Sequence, residues 1–103
     1  MNDSIEKINS QIHYHLSYYL QKHYPETICS VVDVDTYTDL STSNVMISEL
    51  NDNISFVDRL NRDSKSIRYS LAKKLSLRKM PSLHFELDKS DSNYRKISEL
   101  LNN

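Results

Sequence analysis

The 103-residue chain carries 38% apolar and 26% charged side chains at a net charge of −1, proportions that suit one compact domain over residues 1–103 and exclude wholesale disorder. No apolar run approaches the roughly 18 residues of a membrane helix, and no signal-peptide pattern opens the chain, so a soluble cytoplasmic protein without a membrane partner is expected. Glycine is absent although average usage is about 7%, which removes every glycine-built phosphate loop, and the lone Cys29 can neither close an internal disulfide nor build a structural metal site.

From Asp3 the residues Ile5, Ile8, Ile12, Leu16 and Leu20 recur at three- and four-residue spacing, which predicts a helix with one buried face. Asp3 and Glu6 stand at capping-box spacing, and Pro25 ends the helix near His23. Residues 28–37 read as a mostly buried strand, with Ile28, Val32 and Val34 on one parity and Val31 on the other. A polar turn cluster over 38–44 leads to a second strand over 45–48, and a hairpin loop without glycine should exceed two residues. Asn51, Asp52 and Asn53 offer caps for a helical run through Ile54, Val57, Leu60, Ile67, Leu71 and Leu75, interrupted at 63–66. After Pro81, Leu83, Phe85 and Leu87 alternate with His84, Glu86 and Asp88 as a half-buried third strand, and 92–101 reads as a short last helix. The order α-β-β-α-α-β-α describes an α+β domain in which helices cover one face of a three-stranded sheet.

The near-zero net charge hides an asymmetry. Arg59, Arg62, Lys65, Arg68, Lys73, Lys74, Arg78 and Lys79 stand against Asp63 alone, a local charge of +7, while the rest of the chain carries −8. At 100° per residue, Arg59, Arg62, Lys65, Tyr69 and Lys73 fall opposite the apolar face of the long helical run. A one-sided basic stripe without interleaved acids points to a polyanionic partner.

The string running from Ile67 to Asp88, IRYSLAKKLSLRKMPSLHFELD, resembles the signature of the ribosome-binding factor A family of bacterial small-subunit assembly factors. Val34, the segment Tyr37-Thr38-Asp39-Leu40 and Val45 are similar to that family's strand-turn-strand, and Lys96-Ile97 with Leu100-Leu101 to its C-terminal end. The resemblance implies a KH-like fold of the second type, without the GXXG loop by which other KH domains clamp RNA. The family joins its two long helices at a kink spelled Ala-x-Gly, and here those positions hold Asp63, Ser64 and Lys65. Lysine does not share glycine's conformational range, so another device should break the helix, with Asp63 or Ser64 as a cap. Activity is implied by the same resemblance: a non-enzymatic, monomeric factor that binds the immature small (30S) subunit and assists late maturation and 5′-end processing of 16S rRNA. No cofactor, metal or small-molecule substrate belongs to it.

RNA contact is thus expected from Arg59, Arg62, Lys65, Arg68, Tyr69, Lys73, Lys74, Arg78 and Lys79. Each has a plainer use. The cations can form a solvated helix face, and Arg68 and Arg78 can cap carbonyls or pair with a carboxylate such as Asp88. Tyr69 can pack over a lysine stem instead of stacking on a base. Tyr14, Tyr18, Tyr19 and Tyr24 read as the rim of the core, with no basic residue interleaved. His13 and His15 diverge by about 200° on a helix and cannot chelate one ion, and Asp33 and Asp35 lack a partner base. A basic face docking on an acidic protein is the rival reading, and a hydrolase has the least support.

Overall fold

The computed structural model of the chain describes residues 4–89. Six elements follow in the order α1 (Ile5–His23), β1 (Cys29–Thr36), β2 (Thr42–Glu49), α2 (Ile54–Arg62), α3 (Ser64–Ala72) and β3 (Ser82–Leu87). This is the expected order through the third strand, and the helix expected over 92–101 lies outside the described residues. The strands form one sheet in the order β1-β2-β3, with β2 antiparallel to β1 and parallel to β3.

Helix α1 begins one residue later than its capping box implied: Ser4 is the N-cap, its Oγ accepting from the Lys7 N–H at 3.1 Å. The helix buries Ile8, Ile12, Leu16 and Leu20 and ends at His23, as Pro25 requires. Strand β1 corrects the parity expected of it. A β-bulge between Val31 and Asp33 shifts the register, so that Val31 opposite Ile47 and Val34 opposite Val45 share the buried face. An extra residue in one strand reverses the alternation beyond it, which turns Val32 outward at 47% exposure. Ile28, ahead of the strand, is also exposed. The bulge is held from α1, since His13 Nε2 donates to the Val31 carbonyl at 2.9 Å.

The connection over 37–41 is longer than two residues, as the lack of glycine demanded, and β2 starts at Thr42 rather than at 45. Leu40 takes a left-handed φ of 62° there, a conformation costing roughly 1–2 kcal/mol for a residue with a Cβ. Asp39 supports the turn by accepting from the Ser41 hydroxyl and N–H at 2.7 and 3.0 Å, which hold its carboxyl below the ordinary value.

One cluster of buried side chains joins Val31, Val34, Val45, Ile47, Leu83 and Phe85 of the sheet to the helices above it. From α2 and α3 come Phe56, Val57, Leu60, Ile67 and Leu71. Phe56 was not among the expected core residues, and Ile54, which was, is 52% exposed. Ile54 opens α2, and helical side chains lean toward the N-terminus, so its side chain points past the end of the helix. Helix α3 stops at Ala72 rather than Leu75, and a turn with Leu75 N–H on the Leu71 carbonyl at 3.0 Å still delivers Leu75 to the core.

The long helical run breaks at one residue. Asp63 separates α2 from α3 with φ −87° and ψ 2°, while its N–H still bonds Arg59 O and its carbonyl accepts from Ile67 N–H, both at 3.0 Å. Neither Asp63 nor Ser64 caps α3 with its side chain, contrary to the cap proposed from sequence. Ser64 instead donates to the Leu83 carbonyl at 2.6 Å. It belongs to a polar row along the outer edge of β3. Asn61 donates to Phe85 O and accepts from Phe85 N–H, each at 2.9 Å, and Arg68 Nε reaches Pro81 O at 3.1 Å. Helix positions three and four apart thus meet alternate strand carbonyls, which closes an edge that would otherwise pair with another chain. Asn61→Ala leaves both Phe85 groups without their partner and is expected to cost about 1–3 kcal/mol; faster hydrogen exchange at the Phe85 amide measures it.

Candidate nucleic-acid interface

The basic stripe forms on the solvent side of α2 and α3 because their core residues fix how each helix is rotated. With Val57, Leu60, Ile67 and Leu71 turned inward, Arg59, Arg62, Lys65 and Tyr69 are left exposed, and Lys73 and Lys74 continue the row in the turn after α3. Arg78 and Lys79 are exposed in the loop toward β3. The exposed Asp58, one turn ahead of Arg62, adds an acid at the N-terminal end of this face that a window starting at Arg59 leaves out. Beside α3 runs a groove of about 620 Å³ lined by Asn61, Ser64, Lys65, Arg68, Tyr69 and Met80, among others.

The expected residues do not play equivalent parts. Of the two uses left open for Arg68, carbonyl capping is the one observed: Nη2 donates to Met80 O at 2.6 Å and Nε lies within reach of Met80 O and Pro81 O. This guanidinium ties α3 to the loop before β3. Lys73 lies over the Tyr69 ring at 4.3 Å, so the lysine packing anticipated for Tyr69 is present, yet the ring remains 67% exposed.

The tyrosines of α1 are where the fold adds most. Lys74 stands 5.7 Å from the exposed Tyr18 ring, and Arg59 stands 4.8 Å from the Tyr24 ring. Cations therefore do interleave with these aromatics, from elements distant in sequence, which a linear reading of α1 excludes. Tyr24 is buried, meets Phe56 edge-on at 5.7 Å and donates its hydroxyl to Asp63 Oδ2 at 2.7 Å. Burial, and then the Asp63 carboxylate, push its phenol above the ordinary value.

Among the described residues no group of three or more His, Cys, Asp or Glu converges as a metal site. His13 is engaged with the β1 bulge, and His84 faces Glu86 on the open side of the sheet at 3.4 Å. Cys29 is half-buried, and burial, reinforced by Glu49, raises its thiol pKa. Among the described residues no helix is long and apolar enough to cross a membrane. The arrangement can present a row of exposed cations, with the exposed Tyr69 and Tyr18 rings beside Lys73 and Lys74, to a polyanion.

The fold is similar to the crystal structure of ribosome-binding factor A from Thermus thermophilus, with a TM-score of 0.74 at 20% identity over 82% of this chain and 97% of that one. It is also similar to the Thermus thermophilus ribosome binding factor A homology model fitted into a cryo-EM map of its 30S complex, with a TM-score of 0.68 at 20% identity over 79% of this chain and 91% of that one. In sequence, ribosome-binding factor A of Buchnera aphidicola is 44% identical over 80 residues, covering 74% of this chain and 67% of the relative. That of Mycoplasmopsis pulmonis is 33% identical over 76 residues, covering 74% and 68%. The family model described as Ribosome-binding factor A matches residues 4–101, and the chain belongs to the ribosome-binding factor A family.

Proposed function

We propose that this protein binds the immature small ribosomal subunit in the bacterial cytoplasm and assists the late maturation and 5′-end processing of 16S rRNA without catalysing a reaction itself. The observation that carries the reading is the exposed basic face of α2 and α3, set opposite the core and tied down by the Asn61, Ser64 and Arg68 bonds to β3. The 30S complex of the Thermus relative supports the same partner.

Binding energy would be the whole mechanism. A factor that holds one RNA conformer more tightly than another shifts the population toward it. Arg59, Arg62, Lys65 and Lys73 would each meet a phosphate, with Lys74, Arg78 and Lys79 as secondary contacts, and the exposed Tyr69 ring would lie against a base. Arg68 is assigned to the fold. Phosphate contacts place the protein without reading sequence, so base identity should matter less than shape.

The test is sedimentation of the tagged chain through sucrose gradients of cell extract. Co-migration with free small subunits is expected, and migration with a protein complex that resists nuclease would instead favour docking on an acidic protein.

A further inference from the structure

Arg59 and Asp63 stand four residues apart across the end of α2, the spacing at which opposite charges on a helix ordinarily pair. Among the described residues they do not. The Arg59 guanidinium lies over the Tyr24 ring at 4.8 Å, and the Asp63 carboxylate accepts the Tyr24 hydroxyl at 2.7 Å. One tyrosine, brought in from the end of α1, therefore takes both members of a would-be ion pair and keeps them apart. We propose that Tyr24 is a positioning residue for RNA binding, which sequesters the only acid between Arg59 and Lys79 and thereby keeps Arg59 available to a phosphate. This rests on the reading of α2 and α3 as the RNA-facing surface.

The physical comparison favours the split. An exposed helical ion pair is weak because water screens it and two long side chains must be ordered. A hydroxyl donating to a carboxylate in a partly buried setting is a stronger, charge-assisted bond. Tyr24 is itself immobilised, being 5% exposed with its ring edge-on to Phe56 at 5.7 Å, so ordering the hydroxyl adds little entropic cost. Asp63 also occupies a place where, by resemblance, relatives carry the first residue of Ala-x-Gly. A carboxylate there sets an acid one turn from Arg59, and the Tyr24 hydroxyl is placed to engage it.

Tyr24→Phe keeps the ring and removes the hydroxyl, freeing Asp63 to turn to Arg59. Binding of the full chain to 16S rRNA is measured against salt, well below the melting temperature of every variant. The log–log slope of Tyr24→Phe is expected to be shallower by about 0.7–0.9, the value of one lost phosphate contact, and Arg59→Ala should lose the same amount. Asp63→Asn in the Tyr24→Phe background should restore the slope of the parent, a rescue that a merely structural role for Tyr24 would not produce. If Tyr24→Phe keeps the parental slope while Arg59→Ala loses its share, the positioning role is wrong and the surface reading stands. If Arg59→Ala also keeps the parental slope, Arg59 meets no phosphate and both fall at that residue.

Discussion

Phe85→Ala is expected to lower the unfolding free energy by about 3–5 kcal/mol, the range for emptying an aromatic site in a close-packed core. Phe85 is 1% exposed at the centre of β3, stands beside Val45 in the parallel register, and has its main chain clamped by Asn61. The clamp matters to the magnitude, because a strand pinned on both edges cannot move in to fill the void. Domains of this kind have about 5–15 kcal/mol in total, so a large share of the stability would go. With a shift of about 4–8 °C per kcal/mol, the melting temperature should fall by more than about 12 °C. Leu71→Ala, which empties the α3 side of the same cluster, is expected to cost about 2–5 kcal/mol. Thermal and denaturant unfolding measure both, and variants that melt like the parent would contradict the core described above.

Arg62→Ala combined with Lys65→Ala should have the opposite profile. Both side chains are exposed on the solvent side of the kink, where surface substitutions usually change stability by no more than about 0.5 kcal/mol. Binding to small subunits should fall, and the log–log salt slope should become shallower by roughly 1.4–1.8, two phosphate contacts at about 0.7–0.9 each. Gradient sedimentation reads the first effect and a salt titration the second. Unchanged sedimentation together with an unchanged slope would leave these residues as an ordinary solvated helix face.

Regular periodicity made much of this fold readable before any coordinates. The apolar spacing along α1 and the alternation Leu83, Phe85, Leu87 appear where the sequence places them, and the break expected over 63–66 falls at Asp63 alone, with 64–66 already in α3. What escaped it are features in which the period fails or the partner is remote. A bulge inverts the parity of Val32 relative to Val34, and no local pattern marks a bulge without glycine. The exchange of Ile54 for Phe56 depends on where the first helical turn begins. The stripe was legible because helical geometry alone sets its face. The Tyr24–Asp63 bond spans 39 positions and Asn61 reaches Phe85 across 24, so their roles exist only once α1 and β3 have packed against α2. Arg68 shows the limit of charge counting, since a cation inside a basic block also bonds the fold, here at the Met80 carbonyl.

The central claim, that the face of α2 and α3 binds RNA through fixed phosphate contacts, is tested most directly by titrating salt against binding of the intact chain to protein-free 16S rRNA. Four contacts, from Arg59, Arg62, Lys65 and Lys73, predict a log–log slope of roughly −3. A slope near zero, or binding that appears only when the proteins of the subunit are restored, would contradict it.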